Sequence, residues 1–188
     1  MNKINIGIIS VSDRASKGIY KDTNTSILKI WLNHAIITPF KLSVRLIPDE
    51  QLLIEKTLCD LVDKINCQLV LTTGGTGPTK RDVTPDATLA IADRELPGFG
   101  EQMRQISLQF VPTAVLSRQV GVIRNNSLII NLPGQPRSIK EILEGVKDQQ
   151  GNIKIHGIFS SIPYCLELLN NLRIETNPDI AISFRPNK

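Results

Sequence analysis

The sequence predicts an α/β fold with a mostly parallel sheet covered by helices on both faces. Three observations carry that expectation. Short, β-branched apolar runs alternate with amphipathic stretches along the chain. The runs are the length of strands and carry few polar residues, as strands buried on both faces do. Segments rich in Gly, Pro, Asp and Ser stand where the runs end, and these are turn-forming residues. Alternation of this kind argues for a parallel sheet between two helical layers.

Element by element, INIGIIS (4–10) is the first strand. NTSILKIWLNHAI (24–36) places Ile27, Ile30, Trp31, His34 and Ala35 on one helical face. LSVRLIP (42–48) is a second strand. In 49–65, Leu53, Ile54, Leu58, Leu61, Val62 and Ile65 form one stripe, and Asp49 stands where an N-cap would sit. CQLVLTT (67–73) is the third strand. The helix over 84–96 is expected to start with Thr84 as N-cap, Pro85 at N1 and Asp86 in the first turn. A further helix is expected over 100–110, and two strands over 119–134 with their turn at Asn125-Asn126. Ser138 and Glu141 have capping-box spacing at the head of a helix over 138–148. A last helix is expected over 161–172, before a weakly patterned tail from about Asn177. With no repeat, low-complexity tract or linker, one domain over 1–188 is expected.

Composition narrows the classes. With 188 residues, 41% of them hydrophobic, the chain can bury one sizeable core. No apolar run approaches the roughly 20 residues of a membrane span. The start has a short apolar run without a long h-region or a small-residue cleavage site, so a first strand and a cytoplasmic protein are expected. Cys59, Cys67 and Cys165 are an odd number with no CxxC pair, which fits buried, inert thiols. The net charge of +4 suits anionic ligands. Lys and Arg are scattered and aromatics make up only 4%, so no nucleic-acid surface is expected.

Four loops follow strands, at 12–16, 48–50, 74–82 and 132–138, and a parallel sheet would bring them to one edge. In the third, Gly74, Gly75 and Gly77 let backbone approach a ligand, and Thr73 and Thr76 add hydroxyls. The loop fits neither a Walker A motif nor the dinucleotide fingerprint, so it is either a tight turn or an anion site. Asp82 beside it would repel a phosphate unless a divalent cation offsets the charge, and Asp49 could supply a second carboxylate. The plainer roles are a helix N-cap for Asp49, an ion pair with Arg81 or Lys80 for Asp82, and a first-turn helix charge for Asp86. Ser138 could cap its helix or meet a phosphate there. Ser12 and Asp13 could bond a polar ligand or close a local turn.

TTGGTGPTKRDVTPDAT followed by ELPGFGEQMRQIS, together with SVSDRAS, LIPDE and NLPGQPRSIKE, resembles the Mog/MoaB family of molybdenum cofactor biosynthesis over nearly the whole chain. The resemblance implies a three-layer α/β/α molybdopterin-binding fold and a homotrimer. It also implies conversion of ATP and molybdopterin into adenylyl-molybdopterin and pyrophosphate with Mg²⁺. By that resemblance Asp49 and Asp82 are catalytic and hold Mg²⁺. Thr73, Gly74, Gly75, Thr76 and Gly77 bind the nucleotide phosphates, and Ser12, Asp13, Pro133, Gly134 and Ser138 line the pterin side. Hand-over of product to a molybdenum insertase is implied as well. The rival reading within the family is a carrier that binds molybdopterin without adenylylating it.

Overall fold

The structure, a computed structural model, describes residues 3–186. The first two and last two residues of the expected 1–188 domain lie outside the described residues. Strand β1 spans Ile4–Val11, followed by a one-turn helix α1 (Asp13–Ser16) and helix α2 (Thr23–Ala35). Then come β2 (Phe40–Ile47), α3 (Gln51–Cys59), β3 (Leu69–Thr73), α4 (Thr84–Ala90), β4 (Arg94–Glu95) and α5 (Pro97–Ser107). The chain continues through β5 (Gly121–Arg124), β6 (Ser127–Leu132) and α6 (Pro136–Glu144). It closes with a ribbon of β7 (Gly145–Lys147) and β8 (Ile153–His156) and then α7 (Ile162–Asn170).

The main sheet has strand order β2-β1-β3-β6-β5-β4. The β2-β1, β1-β3 and β3-β6 pairings are parallel, while β5 runs against β6 and β4 against β5. The period of two along each strand sorts the side chains into two cores. Ile4, Ile6 and Ile8 of β1 and Leu69 and Leu71 of β3 face α2, α5, α6 and α7. Ile9, Val11, Val70 and Ile129 face α3 and α4 through Ile54, Leu58 and Ala87. Burying each such side chain contributes about 1.5–3 kcal/mol, enough to fix which face is which. The three-layer α/β/α architecture expected from the sequence is the one observed.

Several local expectations are corrected. Asp49 is not the N-cap of α3; Glu50 holds that position without a side-chain bond. The helix then widens into a π-helical turn at Asp60–Lys64, which completes the expected 49–65 stretch. Gly7 of β1 lets this turn press on the sheet, since a Cβ there would stand 2.9 Å from Leu61 Cδ1. On α2 the buried stripe is Thr25, Leu28, Trp31, Leu32 and Ala35, and Ile30 and His34 turn outward.

Helix α4 stops at Ala90 because Arg94–Glu95 leave to pair with Ile123 and Val122 of β5. Thr84 is its first residue and Val83 its N-cap. Helix α6 starts two residues before Ser138, with Gln135 as N-cap, so no capping box forms; Glu141 instead accepts from Arg137 Nε at 2.7 Å. Gly145, at φ 88°, ends that helix, and the residues expected to prolong it form β7. The expected turn at Asn125-Asn126 is present, with Asn125 at φ 51°. No helix among the described residues is long and apolar enough to cross a membrane.

Candidate active site

The parallel register brings the carboxyl ends of β1, β2, β3 and β6 to one edge. From β1 the chain winds outward to β2, and then returns to place β3 on the other side of β1. The crevice at such a reversal is where open α/β sheets bind ligands. A cavity of about 650 Å³ opens there.

Ser12, Asp13, Asp49, Gly74, Gly75, Thr76, Gly77, Asp82 and Gly134 line this cavity, so most of the expected site residues converge. Thr73 and Pro133 lie beneath the lining, tied by a 2.8 Å bond from Thr73 Oγ1 to the Pro133 carbonyl. Ser138 is not part of the lining; the head of α6 presents Gln135 and Pro136 there instead.

The glycine loop is held against the two expected carboxylates. Gly74 and Gly75 have φ of 96° and 63°, a region that favours glycine. A Cβ on Gly74 would overlap the Val11 carbonyl oxygen, and one on Gly75 would overlap Thr84 Oγ1. The same Gly75 Cβ would stand 2.9 Å from Asp49 Oδ1, and a Gly77 Cβ 2.9 Å from Asp82 Oδ2. The close approach of loop and carboxylates therefore depends on the missing side chains.

Asp49 and Asp13 are cross-linked through their backbones. Asp13 N–H donates to Asp49 Oδ2 at 2.8 Å, and Asp49 N–H donates to Asp13 Oδ1 at 3.1 Å. Arg81 does not pair with Asp82. It forks onto Asp13 from Nε (3.1 Å) and Nη2 (2.8 Å), and reaches Glu50 Oε1 at 3.0 Å. Asp82 Oδ2 accepts from Thr79 N–H (3.0 Å) and Thr79 Oγ1 (2.6 Å) instead. The Arg81 hydrogen bonds hold the Asp13 carboxyl below its ordinary range. Burial pushes Asp49 up, and the charges of Asp13 and Asp82 push it the same way.

Other residues of the site left no signal in the sequence. Tyr20 stands at the mouth, its hydroxyl 2.9 Å from Ser12 Oγ, with Arg14 stacked over its ring at 5.3 Å. Asn24 Nδ2 bridges Thr73 Oγ1 (3.1 Å) and the Gly134 carbonyl (2.9 Å). Arg118 reaches the glycine loop and Asp86, so Asp86 is an ion-pair partner rather than a bare helix charge. The Asn24 and Arg118 contacts join positions far apart in sequence, and no spacing rule foretells them.

The lining is acidic. Asp13, Asp22, Asp49 and Asp82 face the cavity, against Arg14 as the one cationic side chain among the described lining residues. Among the described residues, Asp49 Oδ1 and Asp82 Oδ1 accept no hydrogen bond. No group of three or more His, Cys, Asp or Glu among the described residues is arranged to hold a metal alone. Two free carboxylate oxygens and no soft donor suit Mg²⁺, which is commonly held by one or two carboxylates together with substrate phosphates.

Comparison with known proteins agrees with this geometry. Residues 7–150 match the family model described as a probable molybdopterin binding domain. The chain is 66% identical over 186 residues to a molybdopterin adenylyltransferase of Escherichia coli K12, covering 99% of this chain and 95% of the relative. It is 67% identical over 183 residues to the protein of that name from Haemophilus influenzae, covering 97% and 93%. Among solved structures, the molybdopterin biosynthesis enzyme MoaB of Thermus thermophilus superposes with a TM-score of 0.77 at 35% identity, covering 90% of this chain and 98% of that one.

Proposed function

The chain belongs to the molybdopterin-binding-domain family, and from that premise we propose that it is a molybdopterin adenylyltransferase. It transfers AMP from ATP to the terminal phosphate of molybdopterin and releases pyrophosphate. The observation that carries this reading is the acidic, glycine-floored cavity at the sheet's reversal point, in a chain 66% identical to a curated enzyme of that name.

In the reaction a phosphate oxygen of molybdopterin forms a bond to the α-phosphorus of ATP, and the bond from that phosphorus to the bridging β-phosphate oxygen breaks. The nucleophile is already an oxyanion, so no strong general base is required. The barrier lies in holding two anions together in line, a task of positioning and charge stabilisation. The Gly74 to Gly77 loop cradles the ATP phosphates through the N–H groups of Gly75, Thr76 and Gly77, and Thr76 adds a hydroxyl. Ser12, Asp13, Pro133 and Gly134 bound the pterin side. Asp49 and Asp82 hold Mg²⁺, which supplies neutralisation of the phosphate oxygens when bound. A homotrimer, hand-over of product to a molybdenum insertase and a cytoplasmic setting complete the reading, and these rest on the family resemblance. We take 1–188 as one domain of this type.

The test is pyrophosphate release from Mg-ATP with and without molybdopterin, in wild type and Asp82→Ala. Release that depends on the pterin and is lost in the variant is expected. Pterin binding without release would make the chain a carrier.

A further inference from the structure

We infer that Arg118 is a positioning residue that sets where Asp82 and the Gly77 peptide face the cavity; this rests on the adenylyl-transfer reading above. One guanidinium reaches three separate stretches of chain. Nε donates to the Gly77 carbonyl at 2.9 Å, and Nη2 donates to the Asp82 carbonyl. Nη1 and Nη2 fork onto the Asp86 carboxylate at 3.1 and 2.7 Å. The Arg118 backbone N–H adds a bond to the Thr76 carbonyl at 2.9 Å. Both ends of the 76–82 loop and the first turn of α4 are thus tied to a single residue from a distant segment.

Besides Arg118, the base of the loop is closed by Thr84 N–H donating to the Gly75 carbonyl at 3.1 Å. Thr79 and Asp82 close a turn on each other, through Asp82 N–H to the Thr79 carbonyl at 3.1 Å and the return bonds to Asp82 Oδ2. That turn fixes its own shape without fixing where it sits. On the outer side Arg81 fastens it to Asp13 and Glu50. On the inner side the fastening is Arg118, whose own segment is braced: Arg104 Nη1 donates to the Ser117 and Gln119 carbonyls at 3.3 and 3.1 Å, and Gln119 Nε2 reaches the Asn131 carbonyl at 3.2 Å. Arg118 itself does not line the cavity, so it acts through Asp82 and Gly77.

A purely stabilising role accounts for little of this. The Arg118 and Asp86 side chains are 39% and 44% exposed, and exposed ion pairs add little stability. What the fork adds is geometry. A lysine offers one rotatable point charge and cannot hold the Gly77 carbonyl, the Asp82 carbonyl and Asp86 together.

The experiment compares full-length wild type, Arg118→Lys, Asp82→Asn and the double variant. Pyrophosphate release gives kcat and the KM for ATP, titration calorimetry gives Mg-ATP affinity, and melting gives Tm. In Arg118→Lys, kcat should fall about tenfold or more, Mg-ATP binding should weaken, and Tm should move by less than about 4 °C. The double variant should lose less than the product of the two single losses, because Arg118 acts in part through Asp82. Wild-type kcat and Mg-ATP affinity in a folded Arg118→Lys would overturn the inference, as would losses that multiply in the double variant. If Arg118→Lys does not fold, Asp86→Asn loosens the fork while keeping the arginine: a several-fold loss of kcat at unchanged Tm supports the inference, and wild-type kcat overturns it. A wild type that binds Mg-ATP but releases no pyrophosphate sinks adenylyl transfer alone, and the calorimetric comparison then decides the role of Arg118. A wild type that does not bind Mg-ATP sinks both.

Discussion

Asp13 and Asp49 each accept the other's backbone N–H, at 2.8 and 3.1 Å, so two like charges are held side by side at the ends of adjacent strands. Arg81 pairs directly with Asp13, whereas Asp49 forms no ion pair among the described residues and feels the Arg81 charge only at longer range. The pair is asymmetric as a result: one carboxylate is paired within the protein, and the other keeps a free oxygen for the cation proposed above.

Asp49→Asn should separate stability from function. Asparagine keeps an oxygen for the Asp13 N–H and removes the half-buried charge. In the folded protein Asp49 titrates above its unfolded value. Its cost to stability is therefore absent below the unfolded pKa, grows as pH rises, and is complete above the folded pKa. Tm of the variant should equal or exceed wild type at neutral pH, with the gap closing below about pH 4, while turnover is lost. Melts across pH with a parallel pyrophosphate assay check this; a variant less stable than wild type at neutral pH contradicts it.

Gly75→Ala should damage the loop and Gly98→Ala should not. An alanine at 75 has φ 63° and would crowd Thr84 Oγ1 and Asp49 Oδ1, so a loss of about 1–3 kcal/mol is expected together with lower activity. A Cβ at 98 meets nothing within 4 Å and sits in α5, where alanine is the better helix former. Denaturant melts of the two variants should move in opposite directions.

Thr84→Val is expected to melt at or above the wild-type temperature. Thr84 is fully buried and its hydroxyl has no partner among the described residues, so an apolar group of the same shape removes an uncompensated polar atom. A fall in Tm would show that the hydroxyl does have a partner in solution. A fall in Mg-ATP affinity at unchanged Tm would make that partner the nucleotide or its bound water.

Phe159→Ala should cost about 3–5 kcal/mol. Phe159 packs edge-on against Trp31 with ring centroids 4.7 Å apart, and Trp31 Nε1 donates to Glu144 at 2.8 Å. As Trp31 is the only tryptophan, its fluorescence reports the transition in urea directly. The cavity is built on the far ends of the strands, so the variant should keep its turnover under conditions where it remains folded.

The alternation of strands and helices was legible because it follows from which faces are buried. Its failures fall where pairing with distant residues wins. Arg94 and Glu95 continue a helical pattern, yet β5 offers them an edge. Asp49 has the right residue type and place for a cap, yet the Asp13 N–H competes for its carboxylate. In the site, the glycines and Asp82 declared themselves by composition beside a strand end. Arg118 and Asn24 did not, because their partners are set by the tertiary fold and each alone is an ordinary surface residue type.

The antiparallel direction of β5 has a consequence for how the molecule tolerates changes of length. Asp13, Asp49 and Gly74 reach the working edge by leaving a strand, so the loops that carry them can grow outward. Arg118 reaches the same edge by approaching one, three residues ahead of Gly121, and the Val120 carbonyl is already bonded to Asn131 N–H at 3.0 Å. One extra residue in 119–120 would swing the guanidinium away from Gly77. Insertions and deletions should therefore be absorbed at 148–152, away from the cavity lining, while the approach to β5 keeps a fixed count.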